Sequence, residues 1–288
     1  MTTSVSMRAQ AKLNLWLHVM AREDNGYHTI ETLFHRIELA DDVVVTLAPP
    51  GERVISCSED VGPAHENLAF RAAQLYTGTQ DWPTGFRIEI TKRIPAAGGL
   101  GGGSADAAAT LLALNAMSPR VRNFAELAEL GSRVGADVPF LLTDAPKALA
   151  WGRGDRMLTL PALPQRYVAL VVPPFGISTA EAYASLTLTD RRLGQIAMSD
   201  LTDWAAISRL AHNDLSRSLL TLRHPKLREV ITSLHGAGAT MAEMTGSGSV
   251  VFGIFDSEPD AGALERVTGC RVVLTRTALN VEGVTRLD

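Results

Sequence analysis

The 288-residue chain predicts an α+β fold, and three observations carry that expectation. Stretches of period-two alternation come in neighbouring pairs separated by turn residues, as hairpins do. Helix-period segments fall between them irregularly, not after every strand as a doubly wound parallel sheet requires. A glycine loop from Pro95 to Asp106 joins one clear alternating strand to an alanine-rich helical run. The length allows one large domain or two of ordinary size. The boundary is expected near residue 165, giving lobes 1–165 and 166–288.

Val5 to Met20 reads as a strand, with Leu13, Leu15 and Leu17 at one parity and Lys12, Asn14, Trp16 and His18 at the other. Glu23-Asp24-Asn25-Gly26 is a turn. Thr32 to Leu47 reads as one or two strands, strongest at Val43-Val44-Val45. Pro49-Pro50-Gly51 turns the chain into a short strand, Arg53 to Cys57. Asn67 to Tyr76 has helical spacing, and Phe86 to Ile90 alternates strictly.

The helix after the glycine loop is expected from Ser104 to Met117, stopped by Ser118-Pro119. Phe124 to Val134 is a second helix, with Gly135 in the place of a left-handed cap. Leu149 to Leu160 holds two short strands around Gly152-Arg153-Gly154-Asp155, and Tyr167 to Val172 is a strand of buried type. Beyond it comes Thr179 to Tyr183, and helical segments are expected at Leu201–Leu210, Leu215–Leu222, Leu227–Leu234 and Asp260–Val267. Strands are expected at Met241–Met244, Ser249–Phe255 and Arg271–Ala278.

The net charge of −4 argues against a surface coated for nucleic acid. Two cysteines, Cys57 and Cys270, with no His/Cys cluster, suggest neither a zinc site nor a disulfide framework. No apolar leader core and no run of about 18 apolar residues stands in the sequence. The expectation is a soluble, cytoplasmic protein with a small-molecule substrate, no nucleic-acid or membrane partner, and a monomeric or weakly dimeric state.

The loop Pro95-Ala96-Ala97-Gly98-Gly99-Leu100-Gly101-Gly102-Gly103-Ser104-Ala105 holds five glycines. Glycine lets the backbone approach a ligand, and the first N–H groups of a helix lack internal partners. Together they make an anion site, above all for phosphate. No Gly-Lys-Ser/Thr follows, so this is not a Walker A loop. A dinucleotide fingerprint fails too, at Ser104 and Asp106. Ser104 could cap the helix, or meet a phosphate or its metal.

A phosphoryl transferase also needs groups for the acceptor hydroxyl and for the transferring charge. Lys12 lies in an otherwise apolar stretch, as a functional ammonium or as a snorkelling edge lysine. Asp137, between Gly135-Ala136 and an apolar run, is a helix cap or a positioned base that a neighbouring lysine would keep ionised. Asp106 reads as a favourable charge in the helix's first turn. His18, His28 and His35 do not share metal-ligand spacing on one element. Tyr27 and His28 either recognise a planar base or pack back on the sheet. Arg191-Arg192 and Arg223 to Arg228 read as solvated faces.

These stretches together resemble the GHMP kinases, the superfamily of galactokinase, homoserine kinase and mevalonate kinase. Pro95 to Asp106 resembles their ATP-phosphate motif, and Thr245-Gly246-Ser247-Gly248-Ser249 their C-terminal glycine motif. Ala11-Lys12-Leu13-Asn14-Leu15, Asn25-Gly26-Tyr27-His28 with Glu31-Thr32-Leu33-Phe34, and Gly135-Ala136-Asp137-Val138-Pro139-Phe140 resemble the branch whose acceptor is a cytidine diphosphate-linked methylerythritol.

The resemblance implies two α+β lobes, the first like ribosomal protein S5 domain 2 and the second ferredoxin-like. It implies ATP with Mg²⁺, Asp137 as general base, Lys12 assisting it, and the loop Pro95 to Ala105 around the phosphates. It implies that Asn14 holds the erythritol end. Tyr27 and His28 would grip the cytosine, and Tyr183, near Thr179, would stack on its other face. Ala96-Ala97 and Ala105 are small departures from the family's loop, and tyrosine at 183 stands where phenylalanine is usual. No protein carboxylate is assigned to a metal. The rivals are a GHMP kinase for mevalonate or a sugar, which gives Tyr27-His28 no task, and a non-catalytic ATP sensor, which would lack the Lys12/Asp137 pair.

Overall fold

The structure, a computed structural model, describes residues 3–24, 26, 28–78, 82–186 and 196–287. In chain order its elements are β1 (Ser4–Arg22), β2 (His28–Leu47), β3 (Arg53–Cys57), α1 (Leu68–Gly78), β4 (Phe86–Thr91), α2 (Gly102–Met117), α3 (Phe124–Val134), α4 (Val138–Leu141), β5 (Lys147–Gly152), β6 (Arg156–Leu160), β7 (Tyr167–Val172), α5 (Thr179–Ala184), α6 (Trp204–Leu210), β8 (His212–Asn213), α7 (Asp214–Leu222), α8 (Pro225–Gly236), β9 (Met241–Met244), β10 (Val251–Phe255), α9 (Ala261–Thr268), β11 (Arg271–Arg276) and β12 (Thr285–Arg286).

Two sheets organise these elements. The first runs β12-β1-β2-β4-β3, with the β5–β6 hairpin on β2 and β8 beside β1. The second is the antiparallel order β11-β7-β10-β9. The chain changes sheet between β6 and β7, but β8 and β12 cross back to pair with β1.

The β1–β2 pair is the frame of the molecule. Its register shifts at Gln10/Lys12, Asn14/Trp16 and Val19/Ala21, and such bulges bend a long ribbon. Both faces of its middle are covered. Ala9, Phe34 and Val43 pack under α1 and α2, while Ala11, Leu13, Leu15 and Leu33 pack on the second sheet through Val168, Leu170 and Phe252. The alternation read from the sequence is therefore a parity of two interiors, not of core and water. A third apolar cluster joins the outer face of the second sheet to α7, α8 and α9.

Helix α2 is buried on nearly every side, because Ala105, Ala107, Ala108, Ala109 and Ala113 let α1 and the β1–β2 ribbon come close. It starts at Gly102, two residues before the expected Ser104. Its N-cap is Gly101, at φ 73°, and no side chain caps it, so Ser104 is not the cap. Helix α3 has the expected span and a capping box between Asn123 and Glu126. Gly135, read as a left-handed cap, is instead extended, with φ −172° and ψ 152°. The segment that follows turns at once into α4, which carries Asp137 at its start. Among the described residues, no helix is long and apolar enough to cross a membrane, and both cysteines are free.

Candidate active site

On β1 the backbone edge at Lys12 and Asn14 lies between β12 and β8, and two glycine turns occupy it. The Lys12 N–H donates to the Leu100 carbonyl at 3.0 Å, and the Asn14 N–H donates to Thr245 Oγ1 at 3.1 Å. The first turn belongs to the loop before α2, the second to the β9–β10 connection. Lys12 is thus no edge lysine with a free ammonium. It is 3% exposed, and its ammonium reaches Asn14 Oδ1 at 2.7 Å, the Gly99 carbonyl at 2.9 Å and Asp137 Oδ2 at 3.3 Å. Two hydrogen bonds and one ion pair compensate the ammonium, which is how a buried lysine is tolerated.

Asp137 sits at the N-cap position of α4, but its side chain makes no cap bond there. The carboxylate turns to Lys12 and keeps 28% of its side-chain surface open to the cleft. Asn14 orients the pair. Its Oδ1 also accepts from the Gly246 N–H at 2.9 Å, and its Nδ2 donates to Thr32 Oγ1 at 2.8 Å. Thr32 in turn donates to the Trp16 carbonyl at 2.6 Å. Thr32 stands in the Glu31-Thr32-Leu33-Phe34 stretch, but only the β1–β2 register brings its hydroxyl to Asn14.

The glycines answer to close approach. A Cβ on Gly101 would lie 3.0 Å from Lys12 Cε and 3.5 Å from Asp137 Oδ2. The N–H groups of Gly102, Gly103 and Ser104 begin α2 without intrahelical acceptors, so the positive end of that helix lies beside the Lys12–Asp137 pair. Of the loop, Ala97, Gly99, Gly101 and Ser104 line the cleft, while Leu100 and Ala105 are buried in the two cores flanking β1. Pro95, Ala96 and Gly98 shape the loop, and Gly102 and Gly103 open α2 between the cavity-lining Gly101 and Ser104.

That cavity measures about 1450 Å³ and runs from the glycine loop to His28, Thr179 and Tyr183. Thr179 Oγ1 and Ser247 Oγ lie 3.1 Å apart and join α5 to the second glycine turn. The rings of His28 and Tyr183 stack directly on each other, 4.6 Å between centroids and 29° between planes. Burial, and then the charge of Arg22, push the His28 imidazole below its ordinary value. Burial, and then the Asp137 carboxylate, push the Tyr183 phenol up to about 12. Tyr27 and Asn25, and the Arg191-Arg192 run, lie outside the described residues. Arg22, Arg71, Arg133 and Arg153 also line the cleft. They come from four separate elements, so no motif in the sequence announces them, yet together they make the cavity hospitable to polyanions.

Behind the loop lies an ion cluster. Lys92 pairs with Asp41 and, at 2.7 Å, with Asp106; Asp41 Oδ1 accepts the N–H groups of Arg93 at 2.5 Å and Ile94 at 2.8 Å. Asp106 is past the first turn of α2, not in it, and is 3% exposed. Burial pushes its carboxyl up to about 7, with Lys92 opposing and Asp41 adding to the rise. The cluster fixes the end of β4 to β2 and α2 and so sets where the glycine loop starts.

Comparison with known proteins identifies the family. The chain matches the GHMP kinases N terminal domain over residues 67–144 and the GHMP kinases C terminal domain over residues 197–268. It is 39% identical over 268 residues to 4-diphosphocytidyl-2-C-methyl-D-erythritol kinase of Geobacter metallireducens, covering 92% of this chain and 94% of that one. Among solved structures, a 4-(cytidine 5'-diphospho)-2C-methyl-D-erythritol kinase superposes with a TM-score of 0.77 at 34% identity, over 95% of this chain and 99% of that one. A homoserine kinase from Cytophaga hutchinsonii shares the fold, with a TM-score of 0.75 at 19% identity over 99% and 98% of the two chains. Sequence likeness along almost the whole length, and a shared two-sheet fold, place this chain in the 4-diphosphocytidyl-2-C-methyl-D-erythritol kinase family of the GHMP kinases.

Proposed function

We propose that the protein transfers the γ-phosphoryl group of ATP to the 2-hydroxyl of 4-diphosphocytidyl-2-C-methyl-D-erythritol. The products are the 2-phosphate and ADP, in the non-mevalonate route to isoprenoid precursors. The observation that carries this reading is the Lys12–Asp137 pair, 3.3 Å apart, at the glycine-built start of α2 and in the same cleft as His28 and Tyr183.

Transfer is direct. The Asp137 carboxylate accepts the proton of the acceptor hydroxyl as its oxygen attacks the γ-phosphorus, and the bond to ADP breaks. Lys12 donates to the same oxygen and balances the charge gathered there. The free N–H groups of Gly102, Gly103 and Ser104 receive phosphate oxygens. Glycine at 101 keeps a side chain away from Lys12 and Asp137 beside that space. Mg²⁺ would supply charge neutralisation between phosphates, and the Ser104 hydroxyl is the protein donor at the helix start that suits it. Asp106, the nearest carboxylate in sequence, is committed to Lys92.

The cytosine end falls to His28 and Tyr183, with Tyr27 beside them in sequence. Because the two described rings already stack on each other, a base takes an outer face of that pair or parts it. Asn14 lines the cavity beside Lys12, where the erythritol hydroxyls would lie.

The test is ³¹P NMR of the protein with ATP and either the cytidyl diphosphate substrate or mevalonate. A new phosphomonoester resonance is expected with the cytidyl substrate. A phosphomonoester formed with mevalonate alone would refute the proposal.

A further inference from the structure

Outside the cleft, three side chains of metal-ligating type meet from distant parts of the chain. His18 is on β1, His212 on β8, and Asp214 opens α7. They meet because β8 lies parallel to β1, with Trp16 opposite His212 and Leu17 opposite Asn213. His212 Nε2 is 2.7 Å from Asp214 Oδ1, and His18 Nδ1 is 3.8 Å from Asp214 Oδ2. The candidate ligand atoms all lie within 4.8 Å of one another.

The surroundings favour a cation. His18 Nδ1 is buried and makes no hydrogen bond. Glu31 is directly opposite His18 in the β1–β2 pairing and so shares its face of the sheet; its Oε1 is also buried without a partner. Polar atoms buried in this way are uncommon and costly, and a coordinated cation would satisfy the His18 nitrogen. Glu243 of β9 adds a further carboxylate within electrostatic range of His212.

We propose that His18, His212 and Asp214 bind a divalent transition metal of the Zn²⁺ or Ni²⁺ type. Two imidazole nitrogens and a carboxylate suit these ions, whereas Mg²⁺ and Ca²⁺ prefer oxygen alone. Metal–ligand bonds of about 2.0–2.2 Å put neighbouring ligand atoms roughly 3–3.5 Å apart. The present separations of 2.7 and 3.8 Å bracket that range. The two imidazoles stack with centroids 5.0 Å apart, so the His18 ring must turn about its Cβ–Cγ bond to bring Nδ1 onto a shared ion. Asp214 Oδ2 accepts the Val19 N–H at 2.8 Å, which fixes the carboxylate's direction.

The site has a route to the cleft. Asn213, between two of the ligands, donates to the carbonyls of Met244 and Gly246, both at 2.8 Å. Gly246 donates to Asn14, which holds Lys12. A metal would pin this crossing segment to β1 and stiffen the second glycine turn from outside the cavity. The proposal does not depend on the phosphoryl-transfer reading.

The experiment titrates EDTA-stripped protein with Co²⁺ alone, followed by d–d absorption, with Zn²⁺ as competitor, and measures thermal unfolding with Zn²⁺. One ion per chain is expected, displaced by Zn²⁺. Tm should rise by about 5–10 °C at roughly a hundredfold excess over the dissociation constant. His18→Gln and His212→Gln should each abolish the absorption and the rise in Tm. Absence of a saturable Co²⁺ spectrum, or a spectrum unchanged in either variant, would overturn the proposal.

Discussion

Gly99 and Thr245 meet backbone to backbone, with no room for a side chain between them. A Cβ at Gly99 would lie 2.1 Å from the Thr245 carbonyl oxygen, and Gly99 is already at φ 76°. One residue belongs to the turn before α2 and the other to the β9–β10 turn, so the contact locks two distant glycine turns over Lys12.

Gly99→Ala is therefore expected to lower stability by about 2–4 kcal/mol, from a strained left-handed residue plus an overpacked contact. Urea unfolding checks this. Gly103→Ala is the control: that position is exposed, lies inside α2, and its nearest neighbour to an added Cβ is Leu68 Cδ1 at 3.5 Å. It should be neutral or stabilising by up to about 1 kcal/mol.

Asp137→Asn and Lys12→Met should keep the fold and lower kcat by roughly 10²–10⁴, since proton removal and charge stabilisation are each worth about that factor. Circular dichroism establishes the fold and steady-state kinetics the rate. Near-normal turnover in either variant removes that residue from the mechanism.

His28→Ala and Tyr183→Ala should raise KM for the cytidyl substrate by roughly 10–100-fold, the range of a lost base stack, and leave KM for ATP nearly unchanged. An equal rise for both substrates would mean that the pair supports the cleft as a whole and does not read the base.

His35 predicts a pH dependence of stability. Its ring is fully buried, its Nδ1–H donates to the Arg36 carbonyl at 2.7 Å, and it stacks on Trp204 with centroids 5.6 Å apart. Burial pushes the imidazole down to about 4, the Arg36 hydrogen bond opposes this, and Lys147 adds to the fall. The unfolded chain, near 6.5, binds the proton more readily, so stability present above 6.5 is lost as pH falls towards 4. The slope is about 1.4 kcal/mol per pH unit, reaching about 3 kcal/mol in total. Urea unfolding at pH 7 and pH 5 should show this loss in the native protein and a shallower one in His35→Phe.

Most elements were legible because their patterns are local. The strict alternation of Phe86 to Ile90 and the amphipathic spacing of Phe124 to Val134 each lie within a residue or two of the observed spans. The start of α2 was misplaced because three glycines read as loop, whereas Gly101 alone makes the turn and the next two begin the helix. The two-residue strands β8 and β12 were missed, since two residues carry no period and exist only through pairing with β1.

The site divides in the same way. Residue type and spacing marked the glycine loop, Lys12, Asp137 and the His28 region, because each stands in a short run whose chemistry is unusual for its setting, while Asn14 and Tyr183 entered through the family resemblance. Whether Lys12 was a used ammonium or an edge lysine, and whether Asp137 capped its helix or faced the cleft, could be decided only by the fold. Both questions turn on which backbone edges are filled and on the direction of one side chain. Tertiary structure alone joined Thr32 to Asn14, Lys92 to Asp106, and His18 to His212 and Asp214. Such contacts depend on strand register and on segments that cross between sheets, and no local pattern in a chain records them.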